Sequence, residues 1–303
     1  MRHVYECPMR WADLDLLGHV NNVAHVDVLQ EARIDMLRRR GGSHDATPDG
    51  PAPLTSGSVV VRLEVSYVAP LRLRRHVRVE MWTSEVRAGA FTLDYEVTAG
   101  RSSSDDTERD VVLRARTLLA PYDFDADRPR RLTDAEREGL SAFLEPGEPV
   151  RRARPEPGRS RWTEVPIAVR FSDVDVFGHV NNVAYVELFQ EARIKTFGEL
   201  MAGVPEGTPP MSVVVARTDV DYLRPVLFRG DPYVIRTRVE EVRRTSFVLV
   251  SDLVDPLEPV PDGAEPSALA RARVVVVGFD PATQRAAAPA APYLDVLRGR
   301  LTP

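Results

Sequence analysis

Twice along the chain, a short alternating run gives way to a long stretch of helical spacing, and four further strand-like runs follow. Val165, Ile167 and Val169 alternate within residues 163–171 and predict a strand; residues 2–11 hold the same place in the first half. Beyond them Val23, Val26, Leu29, Ala32, Met36 and Leu37 recur at three and four spacing, which predicts a helix that Asn21 or Asn22 caps. Arg38, Arg39 and Arg40 complement its C-terminal dipole, and Gly41-Gly42 stops it. A second helix is expected from Asn181 to about Met201. Apolar positions on both cover more than one narrow stripe, so each helix is expected to be wrapped on several sides by sheet.

Runs rich in β-branched residues then predict strands at 59–68, 77–86, 91–98 and 111–119, matched in order by 213–223, 233–242, 247–253 and 270–277. Residues 102–109 and 256–266 interrupt the two series at matching places and read as exposed loops. Between the halves, Thr133 with Glu136 has the spacing of a capping box opening a short helix to about Leu144, and a polar, proline-rich connector follows. The expected organisation is an α+β chain of two domains, 1–150 and 162–303, joined by a linker at 151–161.

The repetition extends to individual residues. Asp13-Leu-Asp15-Leu-Leu17-Gly18-His19-Val-Asn21-Asn22 in the first half answers Asp173-Val-Asp175-Val-Phe177-Gly178-His179-Val-Asn181-Asn182 in the second, and both run on into Gln-Glu-Ala-Arg-Ile. Unchanged internal spacing over such a polar string marks an internal duplication. Ser66-Tyr67-Val-Ala-Pro70 likewise answers Asp221-Tyr222-Leu-Arg-Pro225.

Composition narrows the possible functions. With 43% apolar and 28% charged residues among 303, the chain has the make-up of a globular protein, and no window reaches the roughly 18 apolar residues of a membrane span. Net charge is −5, and the basic residues are arginines except for Lys195, so nucleic-acid binding is not expected. The first residues lack the apolar core of a signal peptide, and Cys7 has no partner for a disulfide, which predicts a cytoplasmic protein. Cys7 itself reads as a small buried apolar residue.

The motif at the start of each helix resembles that of the hotdog-fold acyl thioesterases of the 4-hydroxybenzoyl-CoA thioesterase family, once per half and over nearly the whole chain. It is also similar to the plant acyl-carrier-protein thioesterases, tandem hotdog proteins whose string reads Asp-Leu-Asp-x-Asn-x-His-Val-Asn-Asn. The resemblance implies two hotdog domains in tandem, each a long central helix wrapped by an antiparallel sheet, paired as an intrachain pseudo-dimer; further association of tandem chains is left open. It implies hydrolysis of an acyl-CoA or acyl-carrier-protein thioester, with no metal and no bound cofactor. The plant-type Asn is replaced by Leu17 and Phe177, so a mechanism needing a side-chain amide there does not carry over. Hotdog enoyl-CoA hydratases place Asp and His five apart within Asp-x-Asn-Pro-x-His, whereas Asp15 and His19 are four apart with no Asn-Pro between them. A non-catalytic acyl-thioester-binding module is the remaining alternative.

Thioester hydrolysis needs a group that activates or replaces water and a site for the oxyanion. Backbone N–H groups at a helix N-terminus form an anion site, which makes the amides of Asn22 and Asn182, behind the turns at Gly18 and Gly178, the oxyanion candidates. Asp15 and Asp175 are the acids that the resemblance makes general base or nucleophile; the alternative is a loop carboxylate that caps the helix or pairs with Arg10 or Arg170. Asp13 and Asp173 are expected to bond turn amides. His19 and His179 either orient the acid and contact the thioester or merely bond backbone. Glu31 with Arg33, and Glu191 with Arg193, are expected to pair structurally on the helix. Arg38 to Arg40 and Arg72 to His76 read as solvated basic loops rather than phosphate sites. His25 against Tyr185, and Ala90 against Ser246, are the clearest differences between the halves, and they predict two competent sites with unequal pockets.

Overall fold

The computed structural model describes residues 1–40, 57–100, 109–147 and 161–301. The helix stop at Gly41-Gly42, the loop at 102–108 and the connector at 148–160 lie outside the described residues. The chain divides into two compact units, Met1–Val150 and Arg151–Pro303.

In the first unit, β1 (His3–Pro8) leads through a 3-10 turn (Trp11–Asp13) to α1 (Asn22–Arg40), followed by β2 (Ser58–Tyr67), β3 (His76–Arg87), β4 (Ala90–Gly100) and β5 (Arg109–Asp123). These strands form an antiparallel sheet in the order β1-β3-β4-β5-β2. A two-residue strand, β6 (Arg128–Pro129), pairs with β5, and α2 (Asp134–Ser141) follows. The capping box of α2 is complete, with Glu136 N–H donating to Thr133 Oγ1 (3.2 Å) and Thr133 N–H to a Glu136 carboxylate oxygen (2.8 Å).

The second unit repeats the plan: β7 (Thr163–Ile167), α3 (Asn182–Met201), β8 (Val213–Tyr222), β9 (Tyr233–Val242), β10 (Ser246–Val254) and β11 (Ala268–Asp280), with strand order β7-β9-β10-β11-β8. It adds β12 (Arg285–Ala286), which pairs with β11, and α4 (Ala291–Arg298). Helix α4 was not among the predicted elements; its signals were Pro292 near the helix start, a place where the missing N–H costs nothing, and Leu294 with Leu297 three apart. β5 and β11 run two to four residues beyond the apolar runs that predicted them, because a backbone ladder continues past the last side chain that needs burial. β9 matches its run, β2 and β8 end one residue early, and β1 and β7 stop three and four residues short, where the chain turns toward the 3-10 turn.

Each sheet turns one face to its helix. In the first unit Phe91, Leu93, Tyr95 and Val97 of β4 alternate onto the buried face, and α1 packs Val26, Leu29, Ala32 and Met36 against it. The opposite face is polar and cross-linked: Arg116 holds Asp94 (Nη2 to Oδ2, 2.6 Å), and in the second unit the fully buried Asp252 sits between Arg271 (2.8 Å) and Arg236 (3.3 Å). Arg236 also lies over the Trp162 ring at 4.5 Å.

Gly278 marks a place without room for a side chain. Its N–H donates to Thr245 O and its carbonyl accepts from Ala287 N–H (2.8 Å each), so the β11–β12 turn closes on its Cα. A Cβ there would strike Ala287 O and the Pro289 ring. Gly278→Ala should therefore cost about 1–3 kcal/mol in a urea melt. Gly139→Ala, on an α2 surface where a Cβ meets nothing within 4 Å, should raise stability by up to about 1 kcal/mol.

Candidate active site

Between the 3-10 turn and α1 the chain makes a miniature hairpin, closed by a bridge between Leu14 and Val20. Asp15 N–H donates to His19 O (2.7 Å) and Gly18 N–H donates back to Asp15 O (3.0 Å), enclosing Leu16, Leu17 and Gly18 as a three-residue loop. Such a loop needs its last residue in the left-handed region, and Gly18 has φ +72°. The second unit builds the same device from Val174 and Val180, Asp175 and His179 (2.8 Å), and Gly178 at φ +79°.

The acid's side chain belongs to this turn. Asp15 Oδ1 accepts from Leu17 N–H (2.8 Å) and His19 N–H (3.0 Å), and Asp175 Oδ1 accepts from Phe177 N–H (2.9 Å). Both carboxylates are half-buried. Arg10 is not their partner: it pairs with Asp13 and Asp27, each at 3.1 Å. At positions 17 and 177 the backbone amide holds the acid, and Leu17 points to solvent. Asp13 and Asp173 tie the preceding turn, each accepting from the amide three residues earlier (2.7 Å) while its carbonyl receives the N–H of Asn21 or Asn181 (2.8 Å).

Those last bonds set where the helices begin. Asn21 Oδ1 accepts from Val23 N–H and Asn181 Oδ1 from Val183 N–H (2.9 Å each), so the asparagine before each helix is its cap and Asn22 and Asn182 are the first helical residues. The hairpin is anchored from outside by Val20 N–H to Leu71 O (2.7 Å) and Val180 N–H to Val226 O (2.9 Å). His19 is buried and His179 half-buried, each bridging by its backbone to the segment after the Tyr-Pro strand, at Arg72 and Leu227.

Sequence reasoning missed the contact that Tyr67 and Tyr222 make: their hydroxyls donate to Asn22 O (3.4 Å) and Asn182 O (2.9 Å), joining the end of β2 or β8 to the first turn of the helix. The shared Tyr-x-x-Pro was the available signal. Over each tyrosine stands the residue that differs between the halves. His25 meets the Tyr67 ring edge-on (5.6 Å), and Tyr185 meets Tyr222 (5.1 Å). Tyr185 also accepts from Val226 N–H (3.0 Å); burial, with smaller contributions from Tyr233 and Asp175, pushes its phenol pKa up. Burial lowers the His25 pKa from 6.5 to about 4 and keeps its imidazole neutral.

Other sequence candidates lie apart from this arrangement. Cys7 is buried and its thiol is pushed up to about 11 by desolvation. Glu191 pairs with Lys195 (2.7 Å), one turn along the helix. Glu31 is exposed while Arg33 is buried. Among the described residues no cluster of His, Cys, Asp or Glu could hold a metal ion, and no helix is long and apolar enough to cross a membrane.

Comparison with known proteins agrees with this duplicated geometry. The family model of the thioesterase-like superfamily matches residues 9–144 and again 169–298. A Lactobacillus plantarum protein assigned as an oleoyl thioesterase superposes with a TM-score of 0.69 at 13% identity, covering 92% of this chain and 97% of its own. The 12:0-ACP thioesterase of Umbellularia californica superposes with a TM-score of 0.65 at 17% identity, covering 92% and 94%. At these identities the likeness is one of fold, a hotdog-type fold in tandem. The uncharacterized protein YsmA of Bacillus subtilis is 43% identical over 61 residues, a match spanning 20% of this chain and 40% of that protein.

Burial of His25 has a pH signature. Its pKa lies below that of an unfolded histidine, so between pH 6.5 and about 4 the unfolded chain binds a proton that the folded chain refuses. Stability should fall as pH drops through that window, by up to about 1.4 kcal/mol per pH unit from this group. His25→Phe should flatten that part of the profile in urea melts, and the ring signals of His25 should titrate near 4 by NMR; a midpoint near 6.5 would contradict its burial.

Proposed function

Since the chain belongs to the thioesterase-like superfamily, we propose that it hydrolyses acyl thioesters of coenzyme A or of an acyl carrier protein to the free acid and the thiol. The observation that carries this reading is the hairpin found in both units, which fixes one carboxylate oxygen on turn amides immediately before a helix N-terminus. Among the described residues Asp15 Oδ2 has no such bond, which leaves it for water or substrate.

In the proposed reaction the thioester carbonyl oxygen lies at the first turn of α1 or α3, where the Asn22 or Asn182 N–H donates to it. Asp15 or Asp175 takes a proton from water as its oxygen bonds the carbonyl carbon, or else attacks that carbon itself. Either route forms a tetrahedral oxyanion, which collapses with cleavage of the C–S bond and departure of the thiolate; the thiolate then takes up a proton. With direct attack, water cleaves the acyl-aspartyl anhydride in a second step. Gly18 and Gly178 act through the turn they permit. Assigned on position alone, His19 and His179 orient the acid through the hairpin that their backbones close.

Asp15→Asn and Asp175→Asn, singly and together, test this in a thiol-release assay across an acyl-CoA panel. Each single variant should retain the turnover of the other unit, and the double variant should fall about 10²-fold or more. Full activity in the double variant would refute the assignment, and binding without thiol release would identify an acyl-thioester-binding module.

A further inference from the structure

The two units carry the same sheet but settle its interior polar groups differently. Strand register aligns them: Met81, Tyr95, Ala115 and Val65 face each other across β3, β4, β5 and β2, as Thr237, Ser251, Ala272 and Val220 do across β9, β10, β11 and β8. One step along, Thr83, Leu93, Thr117 and Leu63 correspond to Val239, Leu249, Val274 and Thr218.

In the second unit the first of these rows satisfies itself, Thr237 and Ser251 sharing a hydrogen bond of 2.8 Å. The next presents Val239, Leu249 and Val274 to an apolar core completed by Leu200 and Leu297. Among the described residues Thr196, on α3, has a buried hydroxyl without a protein partner. In the first unit the Tyr95 phenol and the Thr83 and Thr117 hydroxyls are all buried on the helix-facing side, and among the described residues none has a protein hydrogen-bond partner. Each unmet hydroxyl costs about 1–3 kcal/mol, and native interiors hold few of them. Three on one face of one sheet, where the sister unit has a bonded pair, two valines and the single Thr218, point to a partner that arrives with the ligand.

His25 marks the same difference between the units. It is 5% exposed, and its ring meets the Tyr67 ring edge-on. The matching Tyr185 hydroxyl is engaged by Val226 N–H. Tyr67 marks the end of the sheet nearest the first turn of α1. The Tyr95 row lies two residues further along the strands, about 7 Å, and the threonine row about 14 Å.

We propose that the first unit is built for an acyl chain bearing an oxygen substituent, a hydroxyl or keto group away from the thioester, and the second for an unsubstituted hydrocarbon chain. The inference rests on reading both units as acyl-thioester sites. Tyrosine and threonine hydroxyls each donate and accept, so either substituent satisfies them. A plain hydrocarbon chain leaves them unmet, and sites with stranded polar groups reject such analogues strongly.

The test uses the full chain carrying Asp175→Asn, so that turnover reports the first unit. Saturated acyl-CoAs of one length, plain or bearing a hydroxyl at successive carbons from C3 outward, are compared by thiol release, and their non-hydrolysable thioether analogues by calorimetry. At least tenfold preference for one hydroxylated chain is expected. Tyr95→Phe with Thr117→Val should erase the preference without lowering the thermal midpoint, and Asp15→Asn should leave a chain that favours the plain substrate. Equal or reversed preference in the Asp175→Asn chain overturns the inference. So does a preference that survives Tyr95→Phe with Thr117→Val, or a lowered midpoint, which would mean that water or protein already bonds the hydroxyls. Should no thiol be released while the hydroxylated thioether still binds more tightly, hydrolysis fails and the division of specificity stands.

Discussion

Asp15 Oδ1 accepts the amides of Leu17 and His19, and that pair of bonds holds the loop against the helix start. Without them the turn would present two unmet N–H groups and a mobile carboxylate; with them the acid is fixed by residues that never leave its side. The left-handed Gly18 is the geometric condition for the arrangement, because the loop closes only if its third residue takes a positive φ. Asp13 ties the turn before and Asn21 caps the helix after, so each polar residue in the motif has a structural duty besides any chemical one. The proposed reaction uses the second carboxylate oxygen and the amide of the first helical residue.

The same economy explains the departure from the plant-type string. A side-chain amide at position 17 or 177 is not needed to hold the acid, since the backbone N–H of that residue does so whatever its side chain. The tip of the turn is thereby free to carry Leu16 and Leu17, or Val176 and Phe177, without disturbing the hydrogen bonds.

Duplication gave each unit the same frame and left the interior free to diverge. At corresponding places the second unit pairs hydroxyls or replaces them with valine, and it fastens Tyr185 to Val226. Among the described residues the first leaves Tyr95, Thr83 and Thr117 without a protein partner, and it puts a neutral imidazole at position 25. Polar groups retained in an interior without partners are expensive, which is why the difference between units bears on ligand chemistry more than on folding.

Both helices, their asparagine caps to within one residue, the glycine turns and the eight long strands after the helices were legible in the sequence; the structure chose Asn21 over Asn22. The interactions behind them span four residues or fewer, or repeat with the period of a single element. Helix α4 was not predicted although five of its eight residues are apolar, because so short a helix is stable only when packed, here on α3 and β9. Nor was the contact of Tyr67 with Asn22, which joins residues 45 apart. Sequence marked His25 and Tyr185 as different, but only the tertiary structure joined Tyr185 to Val226. It alone set Thr83 and Thr117 on either side of Leu93, through registers between strands distant along the chain. Local bonds are written in neighbouring residues, whereas a polar group's lack of a partner depends on everything folded around it.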